Sequence, residues 1–148
     1  MAAIKKQQQG FTLIEILMVV ALIAIVSAIA LPNFIDFRDD AKKAVTQDRM
    51  SSLRGAITGD TAPNKIGYLS HMGSPPPTLS DLVTKGTQPN YDPINKTGWN
   101  GPYVDSTVID WNKDAWGTAY QYSAASRSIR SCGQNKTCGD ADDLVVTF

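Results

Sequence analysis

From Phe11 to Leu31 the chain reads FTLIEILMVVALIAIVSAIAL, twenty-one residues in which Glu15 is the single charge. As a helix rising 1.5 Å per residue, this stretch is roughly 32 Å long, enough for the hydrocarbon core of a bilayer. Ahead of it stand Lys5, Lys6, three glutamines and Gly10. The two lysines are expected to hold the N-terminus in the cytoplasm, so that everything beyond Leu31 faces the far side of the membrane.

Three readings fit such a segment. It is a signal anchor; or a cleaved signal peptide, since Ala28-Ile29-Ala30 matches the small-x-small cleavage pattern although the apolar run is too long for one; or a segment built around Glu15. An ionised carboxylate costs about 2.5–3.5 kcal/mol at the centre of a membrane helix and less near its end. Met18 and Val19, one turn on, offer it no cation. Its partner must come from elsewhere.

Outside this run the composition is ordinary. The 148 residues are 43% apolar with a formal net charge of zero, one domain's worth of material with no basic face for nucleic acid. Cys132 and Cys138 are six apart, and beside a membrane-targeting N-terminus they point to a disulfide formed outside the cytoplasm, with free thiols as the alternative. A structural zinc site lacks ligands, because His71 is the only histidine.

The helical pattern resumes after Pro32, with Phe34, Phe37, Ala41, Ala44, Val45, Leu53, Ala56 and Ile57 near one face. One helix from about Phe11 to Thr58, bent at Pro32, is expected. Gly59 to Pro77 reads as irregular, Thr78 to Val83 as a short helix capped by Thr78 or Ser80, and Gln88 to Gly98 as loop. Strand signals lie at Tyr103-Val104, Ala119–Ser123 and Leu144–Phe148. The expected fold is α+β: a long N-terminal helix, membrane-spanning in its first half, packed against an antiparallel sheet of three or four strands with a C-terminal loop.

Gly10, then Phe11-Thr12-Leu13-Ile14-Glu15, then an apolar helix reaching Pro32-Asn33-Phe34, resembles the processing signal of the type IV pilin and pseudopilin superfamily. The resemblance implies cleavage between Gly10 and Phe11 by a prepilin peptidase, N-methylation of Phe11, and pairing of Glu15 with the N-terminal ammonium of an adjacent subunit. It divides the chain into a leader (1–10), an assembly and transmembrane half-helix (11–31) and a periplasmic or extracellular domain (32–148), with Pro32 counted beside Phe11 and Glu15 among the assembly residues. Trp99-Asn100-Gly101-Pro102-Tyr103 and Asp114-Ala115-Trp116-Gly117-Thr118-Ala119-Tyr120-Gln121-Tyr122 are similar to the NGPYL and DPWGNPYQY stretches of major pseudopilins, with Ala115 and Ala119 in place of prolines. Their aromatic residues read as core.

Asp140, Asp142 and Asp143 put three carboxylates within four residues, an oxygen set that suits calcium, though Leu144 breaks the EF-hand pattern. A solvated acidic turn is the plain alternative. The resemblance favours calcium, because many pseudopilins of this type bind it in their C-terminal loop, but Gln134-Asn135 stands where their loop usually has Asp-Gly, and the cysteine pair is an alternative staple. No cofactor is required. His71, alone in a turn-rich segment, reads as solvated, and no nucleophile elbow or phosphate loop suggests an enzyme.

The function expected from the resemblance is a structural subunit of a type II secretion pseudopilus, anchored in the bacterial inner membrane. Its partners would be its own copies, minor pseudopilins, the prepilin peptidase, a platform membrane protein and an assembly ATPase. A type IV pilin for adhesion, motility or DNA uptake is the alternative, and a non-polymerising membrane-anchored binding domain is a third.

Overall fold

The structure, a computed structural model, describes residues 10–59 and 66–148, and only the backbone of residues 30–36. Lys5 and Lys6, the side chains of Pro32 and Phe34, and residues 60–65 lie outside that description, so the bend and the assembly role expected of Pro32 are not addressed by it. The chain divides into two compact units, 1–38 and 39–148. Helix α1 (Leu13–Thr58) contributes to both.

In the first unit, Thr12 caps the start of α1. The Thr12 carbonyl and hydroxyl both accept from the Glu15 N–H, at 3.1 and 3.3 Å, as an N-cap does. Every described side chain from Phe11 to Ile29 is exposed. Among the described residues no helix is long and apolar enough to cross a membrane. The part of the expected span whose side chains are described ends at Ile29, short of the roughly 20 apolar residues that a crossing needs.

In the second unit, Thr46, Met50, Leu53 and Ile57 are the buried positions of α1. Their spacing of three and four marks one helix face. This corrects the expected stripe: Phe37 is 73% exposed, Val45 is 45% exposed, and Ala41 and Ala44 face solvent. Thr46, polar by composition, can be buried because its hydroxyl accepts the Ala115 N–H at 3.1 Å.

The sheet has three antiparallel strands in the order β1 (Gln121–Ser123), β2 (Ser128–Ser131), β3 (Leu144–Thr147). Ile129, fully buried on the central strand, lies opposite both Tyr122 and Val146. It meets Met50, Leu53 and Ile57 of α1 in one core with Tyr68, Leu82 and Tyr120. The fold is therefore α+β, with a long helix packed on a small antiparallel sheet.

Three local expectations are corrected. Tyr103-Val104 is not a strand; Tyr103 follows a cis Gly101–Pro102 bond and donates its N–H to the Leu82 carbonyl, tying a loop rather than a ladder. The turn-rich segment after Gly59 contains a five-residue helix, α2 (Tyr68–Met72), closed by Gly73 in the left-handed conformation. Residues Leu79–Leu82 form a 3₁₀ turn instead of a helix reaching Val83, with the Asp81 carboxylate accepting from the Thr78 N–H and hydroxyl at 2.9 and 2.7 Å.

Candidate functional site

Two places carry the chemistry expected of this chain, and each lies within one unit. At the N-terminal end, Gly10 is exposed, and a Cβ built on it would meet nothing within 4 Å. Nothing in the chain's own described fold demands glycine there. Phe11 is 81% exposed beside it. Glu15 sits in the first turn of α1, where the helix dipole favours a negative charge, and no described cation pairs with it.

The second place is the loop between β2 and β3. Cys132 and Cys138 form a disulfide with their Cα atoms 4.4 Å apart. The ring so closed carries Asn135 near its middle. The Asn135 amide donates to Asp140 Oδ2 at 2.7 Å and to Asp142 Oδ1 at 2.9 Å, and its backbone N–H reaches Asp142 Oδ2 at 3.2 Å. Its own Oδ1 accepts the Thr137 N–H at 2.6 Å. Gly133, at φ +64°, packs so closely on Asp142 that a Cβ there would stand 2.5 Å from two of its oxygens. Gln134 fastens the ring to α1 by donating to Asp39 at 2.7 Å.

Asp140, Asp142 and Asp143 each offer an oxygen, all within 4.8 Å of one another. A hydrogen bond shared with the Asp142 side chain, and then the Asn135 amide, hold the Asp140 carboxyl below its ordinary range. Asp143 Oδ2 accepts from Arg130 at 3.0 Å and from the Gly139 N–H at 2.8 Å. Its Oδ1 is buried without a partner, on a side chain only 6% exposed. That orphaned oxygen and the all-oxygen donor set fit a hard divalent cation. Turned by 180°, the Asn135 amide would add its oxygen to the same cluster, giving up the bond that this oxygen now accepts from the Thr137 N–H.

A prokaryotic N-terminal methylation motif matches residues 5–31, and the type II secretion system protein G model matches residues 33–146. The chain belongs to the type II secretion protein G family. Relatives include the type II secretion system core protein G of Pseudomonas aeruginosa, 32% identical over 81% of this chain and 76% of that one. The protein of the same name from Vibrio cholerae is 32% identical over 79% of this chain and 71% of that one. Pilins are related too: the fimbrial protein EcpC of Eikenella corrodens is 36% identical over 72% of this chain and 57% of its own length. No solved structure matches.

Within this family member, two buried polar residues were not legible as such. His71 is 5% exposed, not solvated; its Nδ1 lies 2.9 Å from the Tyr103 hydroxyl, and burial lowers its pKa. Asp114 is 2% exposed and serves as a local organiser, with one oxygen accepting from the Trp116 and Thr118 N–H groups and the other from Ser131. A carboxylate followed two residues later by Trp-Gly is the signal that could have found Asp114, since such a side chain readily closes a turn onto its own backbone.

Proposed function

We propose that this chain is the major pseudopilin of a type II secretion system, the repeating subunit of a periplasmic filament that drives folded proteins out of the cell. The observation that carries this is the protein G match across 33–146, directly behind a methylation motif at 5–31. A fimbrial relative keeps the surface pilus as a second reading.

In this account residues 1–10 are a leader removed by a prepilin peptidase, and Phe11 becomes a methylated N-terminus. Residues 11–31 lie in the inner membrane, with residues 32–148 in the periplasm. Cleavage after Gly10 creates an ammonium, and Glu15 of a neighbouring copy supplies the carboxylate that neutralises it. In lipid an unpaired charge is costly, so the pairing favours ordered addition of subunits. The uncovered apolar side chains between Phe11 and Ile29 would be buried against other copies, which supplies the driving force of the polymer. Minor pseudopilins, a platform membrane protein and an assembly ATPase are the partners that such a filament requires.

Calcium is proposed for the C-terminal loop, held by Asp140, Asp142 and Asp143 with the Asn135 amide oxygen. When bound it would neutralise the clustered carboxylates and tie the loop to itself. The experiment on function is a deletion strain: exoproteins should accumulate in the periplasm and be released again when the gene is restored. Normal secretion with lost surface fibres would favour the pilus.

A further inference from the structure

The Cys132–Cys138 ring and the acidic loop are usually separate ways of holding a loop. Here they meet in one side chain. Asn135, inside the ring, bonds Asp140 at 2.7 Å and Asp142 at 2.9 Å through a single amide nitrogen, so it fixes the distance between two of the three carboxylates. The ring also approaches Asp142 through Gly133 and is anchored to α1 through Gln134 and Asp39.

We infer that the Cys132–Cys138 disulfide is a positioning device for the cation loop, so that cross-link and divalent cation stabilise each other through Asn135. Opening the ring frees the backbone that carries Asn135, and the entropy of ordering it again falls on cation binding. With the ring closed, Asp140 and Asp142 are already gathered around the Asn135 side chain, which has only to turn its oxygen inward when the ion arrives. Linkage makes the effect reciprocal: a bound cation must make the disulfide harder to reduce by the same factor that the disulfide tightens cation binding. The inference rests on the calcium reading above.

Reduction here means attack by a dithiol: the Cys132–Cys138 S–S bond breaks, the dithiol becomes a cyclic disulfide, and two electrons and two protons pass to the cysteines as thiols. The test uses the full chain in detergent with calcium chloride alone as the probe. Calorimetric titration compares the oxidised protein, the protein reduced with dithiothreitol, and Asn135→Ala. The calcium Kd should weaken by about tenfold on reduction, within the usual range for coupled sites. Asn135→Ala should bind weakly in both redox states.

In the reciprocal measurement, saturating calcium should shift the thiol–disulfide midpoint of the unaltered chain; a tenfold coupling corresponds to about 30 mV. This second readout needs no variant to fold. A merely structural disulfide would change the melting temperature on reduction and leave both the Kd and the midpoint where they were. Equal affinity in both redox states with an unmoved midpoint overturns the coupling alone. Absence of calcium binding by the oxidised chain overturns the coupling together with the calcium reading beneath it.

Discussion

The Ser131 hydroxyl donates a 2.6 Å hydrogen bond to the Asp114 carboxylate inside the globular unit, seventeen residues apart in sequence. That bond ties the end of β2 to the turn that precedes β1. The other Asp114 oxygen closes the turn by accepting the Trp116 and Thr118 N–H groups at 3.0 and 2.8 Å. Removing the carboxylate would strand three donors, two of them main-chain. Asp114→Ala is therefore expected to cost about 3 kcal/mol, and Ser131→Ala about 1–2 kcal/mol, since stranding buried polar groups costs about 1–3 kcal/mol each. Urea unfolding of the variants measures both, and losses within a few tenths would mean that water replaces the bonds.

His71 sets a pH dependence. Burial beside Tyr91 and Tyr103 disfavours its charged form, and its Nε2 has no hydrogen-bond partner. Below the ordinary value of 6.5 the unfolded chain takes up a proton that the folded chain refuses. Stability is thus fully present above about 6.5 and falls as pH drops toward the lowered folded value, by at most about 1.4 kcal/mol per pH unit. His71→Asn, which can keep a bond to the Tyr103 hydroxyl, should flatten the decline of melting temperature between neutral pH and pH 5. An unchanged slope would place the acid sensitivity elsewhere.

The acidic loop makes a prediction of its own. Chelating calcium should lower the melting temperature of the full chain, and Asp142→Asn should abolish that response while leaving the metal-free melting temperature within a few degrees. Asp142 is the carboxylate most engaged with the ring, through Asn135 on both of its oxygens. A melting temperature indifferent to chelator would leave the loop held by the disulfide and its own hydrogen bonds, without calcium.

Much of this was legible in the sequence, for identifiable reasons. The Gly10–Phe11 junction and Glu15 stand out because charge is rare in an apolar run, and Leu144–Thr147 because Val145 and Val146 favour extended backbone. β2 was missed because Ser-Ile-Arg-Ser has one apolar residue, and its case rests on Ile129 being enclosed from both neighbours, which is a tertiary fact. The stripe of α1 was read too far toward Phe37 because Thr46 counts as polar until Ala115, sixty-nine residues on, supplies its donor. His71 is buried by Tyr103, thirty-two residues away, which local pattern cannot reveal. Asn135 is the clearest omission at the candidate site: it was read as a departure from the family loop, whereas its amide bridges Asp140 and Asp142.

Glu15→Ala separates processing from assembly. Because the side chain is exposed and makes no described ion pair, its loss should leave folding and cleavage intact. Filament yield should fall at least tenfold, as expected when a charge buried in the polymer is left without its partner. Electron microscopy of sheared filaments, alongside an immunoblot of the processed chain, reads both quantities. Normal filaments from this variant would contradict the assigned role of Glu15.

Cleavage at the Gly10–Phe11 junction is read from the mass of the intact chain recovered from assembled filaments. The chain should begin at Phe11 with one added methyl group and still contain the Cys132–Cys138 bond. A filament subunit that begins at Met1 or at Leu31 would contradict that cleavage.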